Sequence, residues 1–389
     1  GLFAGPYAVM DERRERAEVG SARMVALARE AAQRCIVLLK NQRGLLPLRK
    51  AGLRIALIGP FGAGRGDLFG PWSIFGDASR AVDLASGLRA ALRDPRALRI
   101  ERGSEVEAAI PGGIRRAVAA AREADVVLLA VGESANMSGE AQSRTQIVIP
   151  APQQALAEAV ARTGKPMVVI LRNGRALALQ GAVRDADAIL ETWFLGSQSG
   201  NAIADVLFGA VNPSGHLPVS FPRDSGQEPF YYDHKSTGRP ALPGADPAFK
   251  ARYRETGNTA LYPFGFGLGY SPLRFEALRL SAPRMAWNGE LRVAARIVNA
   301  GARNAEAVAQ LYLHQRTASL TRPVRELKAV RRLAVGAGQS VQVDFTLSRQ
   351  DLQFIGADLR PRAEPGLFDL WVGDSSAAGL QAQFTLAPP

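Results

Sequence analysis

The sequence predicts an α/β unit built on a parallel sheet, followed by an all-β sandwich. Two patterns carry that expectation. Up to about residue 212, short apolar runs bounded by glycine alternate with stretches whose apolar residues recur at helical spacing. That alternation is the pattern of a parallel sheet with helices on both faces. From about residue 273 the period changes to two, in segments separated by turns, as in a β-sandwich of about a hundred residues.

The first periodic stretch runs from Glu18 to Lys40, with Val19, Ala22, Met24, Val25, Ala28, Ala31, Ala32 and Cys35 spaced for one helical face. It predicts a single helix continuing through Ile36-Val37-Leu38-Leu39 and stopping near Asn41 and Gly44, whereas residues 1–17 show no strong periodicity. Leu45-Leu46-Pro47-Leu48 then reads as an extended connector. Ile55 to Ile58 is a buried strand, followed by the glycine-rich loop GPFGAGRGD from Gly59 to Asp67. A phosphate-binding loop would need Lys and Ser or Thr after its last glycine, but Gly64 is followed by Arg65 and Gly66. No helical pattern starts at these glycines either, so a nucleotide site is the weaker reading and a surface loop holding Trp72 the stronger one.

Helices are predicted at about 83–92, 114–123, 152–162 and 201–208, the third opened by Pro152, which suits a first helical turn. Between them lie strands near 98–100, 126–131, 167–171 and 188–190. From Pro213 to Tyr270 the texture is rich in Pro, Gly, Tyr, Asp and His, with Pro243 among its prolines. Such a long irregular segment must wrap a surface or carry function. His216, Asp233, His234 and His314 form no metal-ligand pattern, so no metal is expected. Beyond it, strands are predicted over 291–299, 308–313, 329–335, 341–347, 367–372 and 382–386.

Composition sets the outer bounds. The 389 residues leave room for two or three domains, and 47% hydrophobic with 22% charged residues is ordinary globular content. No apolar run approaches the ~20 residues that cross a bilayer, so no membrane partner is expected. The opening GLFAGPYAVMDERRERAE does not read as a signal peptide, and its first residue is not Met. Cys35 is the single cysteine, which excludes an intramolecular disulfide. The net charge is +12, yet the densest basic cluster, Arg13-Arg14 with Arg16, is interleaved with Asp11, Glu12, Glu15 and Glu18. That is a solvated surface rather than a nucleic-acid stripe, so no nucleic-acid partner is expected.

The stretch most suggestive of chemistry is Val126 to Pro150, VVLLAVGESANMSGEAQSRTQIVIP. Its apolar start is a strand buried on both faces. The polar loop after it carries Glu133, Glu140 and Arg144, and open α/β sheets bind ligands at the carboxyl ends of their strands. Gly139 gives Glu140 a flexible neighbour. Glu133, at the strand end, is the rival acid, or else a structural carboxylate that binds loop amides. Arg144 either holds a loop carboxylate or lines a subsite, and Trp72 and Trp193 either stack on sugar rings or pack at a domain junction.

Several long segments resemble family 3 glycoside hydrolases, most closely the bacterial β-glucosidases. They are AREAAQRCIVLLKN (Ala28 to Asn41), IALIGP, VGESANMSGEAQSR (Val131 to Arg144) and GKPMVVILRNGRALAL (Gly164 to Leu179), followed by NAIADVLFGAVNPSGHLPVSFPR (Asn201 to Arg223), YYDHKSTGRP, LYPFGFGLGYS and RPVRELKAV. The resemblance covers almost the entire chain. It implies an α/β sandwich over 51–225, an irregular connection over 226–272 and a fibronectin type III-like sandwich over 273–389. It also implies that the family's N-terminal TIM-like barrel is absent, with residues 1–50 as the linker and first helix that follow it.

The resemblance further implies a retaining β-glucosidase acting on a terminal β-linked glucose of a glucoside or oligosaccharide, without a cofactor, in the periplasm or secreted. Its nucleophile would lie on the absent barrel, and Glu140 falls on the family's general acid/base position. Arg144, Trp72 and Glu133 are the expected substrate-binding residues, and this chain is expected to be inactive alone. A β-xylosidase, or a non-catalytic carbohydrate-binding or structural module, are the alternatives. Where relatives commonly read WFPGTEGG, this chain has Trp193-Phe194-Leu195-Gly196-Ser197-Gln198-Ser199-Gly200, losing a proline and a carboxylate.

Overall fold

The computed structural model describes residues 1, 3–240 and 248–389. Two short helices open the chain, α1 (Glu12–Glu18) and α2 (Ala22–Cys35), and neither is part of one long helix. Gly20 adopts a left-handed φ of +73°, and Ser21 caps α2 by accepting from the Met24 amide at 3.4 Å. The apolar run after Cys35 is strand β1 (Val37–Asn41), where the sequence pattern predicts a helix. Periodicity alone does not separate a short buried strand from a helix end. What decides is pairing, because β1 lies antiparallel against β6 (Ala188–Glu191), with Val37 opposite Glu191.

The remaining strands of this sheet are parallel: β2 (Ile55–Ile58), β3 (Leu98–Glu101), β4 (Val126–Gly132) and β5 (Met167–Arg172), in the order β1-β6-β5-β4-β2-β3. Helices α3 (Leu84–Ala91), α4 (Gly113–Glu123), α5 (Ala151–Ala161) and α6 (Gly181–Asp185) connect them, and α7 (Ser199–Leu207) follows β6. The continuous apolar run of β4 follows from its two buried faces. Val127, Leu129 and Val131 pack on one side with Ala117, Ala121, Leu156 and Val160 of α4 and α5. Val126, Leu128 and Ala130 pack on the other with Ala32, Leu88, Ile203 and Leu207 of α2, α3 and α7.

The second body is a sandwich of β7 (Leu273–Leu280), β8 (Arg284–Met285), β9 (Glu290–Asn299), β10 (Ala305–Gln315), β11 (Glu326–Val335), β12 (Ser340–Ser348), β15 (Gly366–Gly373) and β16 (Leu380–Leu386). A small ribbon, β13 (Phe354–Ile355) with β14 (Pro361–Arg362), interrupts it. Five strands, β11-β10-β15-β16-β8, face three, β12-β9-β7. Alternation builds the core: Leu291, Val293, Ala295 and Ile297 of β9 meet Leu311, Leu313, Leu370 and Phe384 from the facing sheet. Among the described residues there is no closed barrel.

The irregular segment between the two bodies binds them together; its residues 241–247, Pro243 included, lie outside the described residues. The Tyr270 hydroxyl donates to the Val206 carbonyl at 2.7 Å. Buried Gln310 on β10 donates to the carbonyls of Gly265 (3.0 Å) and Asp374 (2.8 Å). Tyr232 stacks on Phe264 with ring centroids 4.2 Å apart. No helix among the described residues is long and apolar enough to cross a membrane.

Candidate active site

The loops after β2, β4, β5 and β6 gather at the carboxyl ends of the parallel strands. Contacts at glycines show how closely they pack. A Cβ on Gly139 would lie 2.8 Å from Pro71, beside Trp72, so the Glu140 loop leans on the loop after β2. A Cβ on Gly174, after β5, would enter the space of Ser138 and lie 3.1 Å from Phe194, after β6.

Glu140 sits in a tight turn between two residues of positive φ, Gly139 at +98° and Ala141 at +59°. The Gln142 amide donates to the Gly139 carbonyl at 3.3 Å. Non-glycine residues rarely adopt that conformation, and it persists only where neighbours hold it. The Glu140 side chain is exposed and has no hydrogen-bond or ion-pair partner among the described residues. Every other carboxylate on the loops after β2, β4, β5 and β6 is engaged. Asp67 accepts from the Ala135 amide at 2.9 Å, Asp77 from Ser79 at 2.9 Å and Asp83 from the Ser86 amide at 2.7 Å.

Glu133 is placed differently from the sequence expectation of a substrate contact. Its side chain is 0% exposed and lies between two guanidinium groups, Arg144 at 2.5 Å and Arg175 at 3.1 Å. A carboxylate so enclosed presents nothing to a sugar; two cations hold it, rather than loop amides. Arg144 spends its fork on this pair and on the Val148 carbonyl at 3.0 Å, and so braces the loop. Trp72 is 69% exposed and lies beside the Glu140 turn, and Ile74 and Phe75, further along the same loop, are exposed too. Trp193 instead packs edge-on against Phe221, centroids 6.1 Å apart.

Three further participants escape a reading of the sequence. Arg175, in what reads as a plain Asn-Gly-Arg turn, donates through Nη2 to the carbonyls of Met137 and Gln142, the latter at 2.7 Å. Asn173 donates to the Arg175 carbonyl at 2.8 Å and to Glu191 Oε2 at 2.9 Å. Glu191, the last residue of β6, is wholly buried, with the Trp193 amide donating to it at 2.8 Å. The only signal in the sequence is position, since all three lie at or just past strand ends. Arg172, the last residue of β5, is also buried and lies 4.8 Å from the Phe61 ring centroid. Burial pushes its guanidinium pKa down to about 10.

Burial pushes the Glu191 carboxyl up to about 8, with nearby Glu133 adding to the rise and the amides of Trp193 and Asn173 opposing it. The folded state therefore keeps a proton that the unfolded chain releases above about 4.5. Stability from this group is present at acidic pH and is lost as pH rises through about 8. In urea titrations of this chain, Glu191 should contribute a fall in stability of about 1.4 kcal/mol per pH unit in the middle of that window. Glu191→Gln should remove this slope; an unchanged slope in the variant would assign it to other groups.

Residues 36–270 match the model of the glycosyl hydrolase family 3 C-terminal domain, and residues 307–376 that of a fibronectin type III-like domain. The chain is 41% identical over 379 residues to a periplasmic β-glucosidase of Salmonella typhimurium, covering 92% of this chain and 49% of that protein. It is 34% identical to a β-xylosidase of Formosa agariphila, over 97% of this chain and 52% of the relative. Among solved structures, the β-glucosidase of Listeria innocua in complex with isofagomine superposes with a TM-score of 0.93 at 34% identity, covering 100% of this chain and 53% of that one. The chain thus spans about half the length of the relatives it matches.

Proposed function

This chain belongs to glycoside hydrolase family 3, and from that premise we propose that it is the C-terminal half of a retaining β-glucosidase, with Glu140 as general acid/base. The observation that carries the reading is the state of the carboxylates. On the loops after β2, β4, β5 and β6, Glu140 is the one carboxylate without a partner among the described residues. A retaining glycosidase needs two carboxyl groups about 5–5.5 Å apart, one as nucleophile and one as acid/base. These loops supply one free group, so the nucleophile would come from a second lobe.

In the first step Glu140 would give its proton to the departing glycosidic oxygen as the nucleophile attacks the anomeric carbon. In the second its carboxylate would take a proton from the water that releases the sugar. A general acid working near neutral pH has to be shielded from water. Glu140 is exposed on this chain, so the shield would also come from the second lobe. The exposed Trp72, Ile74 and Phe75 offer an apolar surface against which that lobe would close. Arg144 would act through the loop it braces, and the exposed Trp72 would meet the leaving-group sugar. Likeness to a periplasmic enzyme supports a periplasmic or secreted setting.

The test is to assay aryl β-glucosides with this chain alone and with the chain joined to a family 3 N-terminal half. Turnover is expected only in the joined protein, and equal turnover by the isolated chain would refute the division of labour. The β-xylosidase relative supports a second reading of substrate, and a joined protein that prefers aryl β-xylosides to β-glucosides would establish it.

A further inference from the structure

We propose that Arg175 is a positioning residue that holds the Glu140 turn in its working conformation; this rests on the reading of Glu140 as acid/base. One guanidinium closes the loop across its neck. Its Nη2 bonds the carbonyls of Met137 and Gln142, which flank the 139–141 turn on either side. Its Nε donates to Glu133 Oε2 at 3.2 Å, at the point where β4 ends. Start, near side and far side of the loop are thus fixed to one planar group.

Glu140 needs such a device because nothing among the described residues holds its own side chain. The carboxylate has no partner among the described residues, so its place is set by the backbone alone. That backbone includes Ala141 at φ +59°, a conformation that relaxes unless its surroundings impose it. Arg175 in turn stands on a rigid base. It follows β5 by three residues, Asn173 holds its carbonyl at 2.8 Å, and Gly174 lets Ser138 close against the same turn. Glu133 is pinned from the other side by Arg144 at 2.5 Å. Lysine could pair with Glu133 but has no planar fork to span two carbonyls as well. Arg175 touches no reacting atom in this scheme and acts entirely through the loop.

The test uses the joined two-lobe enzyme and two substrates, phenyl and 2,4-dinitrophenyl β-glucoside. The first leaving group needs a proton and the second does not. A displaced general acid should therefore slow the first and spare the second. Arg175→Met is expected to lower kcat/KM for the phenyl glucoside by roughly 10–100-fold, the cost of a misplacement of about 1 Å, with little change for the dinitrophenyl glucoside. Arg175→Lys should show the same selectivity with a smaller loss, and it serves if the Met variant does not fold. Equal losses on both substrates, or none on either, would overturn the positioning role. Glu140→Gln run alongside separates the two readings. If it is selective and the Arg175 variants are not, positioning alone fails; if Glu140→Gln is not selective, the acid/base reading fails and the positioning role with it.

Discussion

Glu140→Gln in the joined enzyme is expected to lower kcat/KM for phenyl β-glucoside by about 10²–10⁴-fold, the usual worth of a general acid. The side chain is exposed and without partners among the described residues, so the substitution removes a proton donor without leaving a buried group unsatisfied. Stability of the variant should match that of the parent in urea denaturation. That separates this residue from Glu133, which is buried between Arg144 and Arg175. Losing that carboxylate would leave two guanidinium groups without their shared partner. A Glu140→Gln enzyme with full activity on phenyl glucoside would move the acid/base elsewhere.

Gly132→Ala is expected to lower stability by roughly 2–5 kcal/mol, from backbone strain and overpacking together. Gly132 closes β4 at φ +139°, where L side chains are rarely found. Its Cβ would be driven into the Arg172 carbonyl across the β4–β5 pair. That carbonyl also accepts from the Glu133 amide at 2.7 Å, so the clash falls where the loop begins. The Gln153 side chain brackets the same residue, accepting from its N–H and donating to its carbonyl, both at 2.8 Å. The backbone has little room to retreat. A shift of the urea midpoint corresponding to less than about 0.5 kcal/mol, the range of ordinary surface substitutions, would show that the strand end is softer than these contacts indicate.

The strands and the sandwich are legible because their signals are local. Val126 to Val131 is apolar throughout, since the sheet covers both its faces, and β9 alternates, since only one of its faces is buried. The boundary at Ile36 is not legible, because a buried edge strand and a helix end share the same composition, and only the partner β6 distinguishes them. The site divides in the same way. Glu140 stands out as a candidate through its neighbours in sequence and family resemblance. The pairing of Glu133 with Arg175 joins residues 42 positions apart, and the burial of Glu191 depends on the packing around it. No local pattern announces either, and Arg175 looks like an ordinary turn residue for that reason.

Azide rescue of Glu140→Ala in the joined enzyme tests the acid/base assignment most directly. With the acid/base removed and a dinitrophenyl β-glucoside supplied, the glycosyl-enzyme should accumulate, and azide, needing no base, should release it as β-glucosyl azide with a faster turnover. Formation of α-glucosyl azide, or no acceleration by azide at all, would contradict the assignment of the acid/base to Glu140.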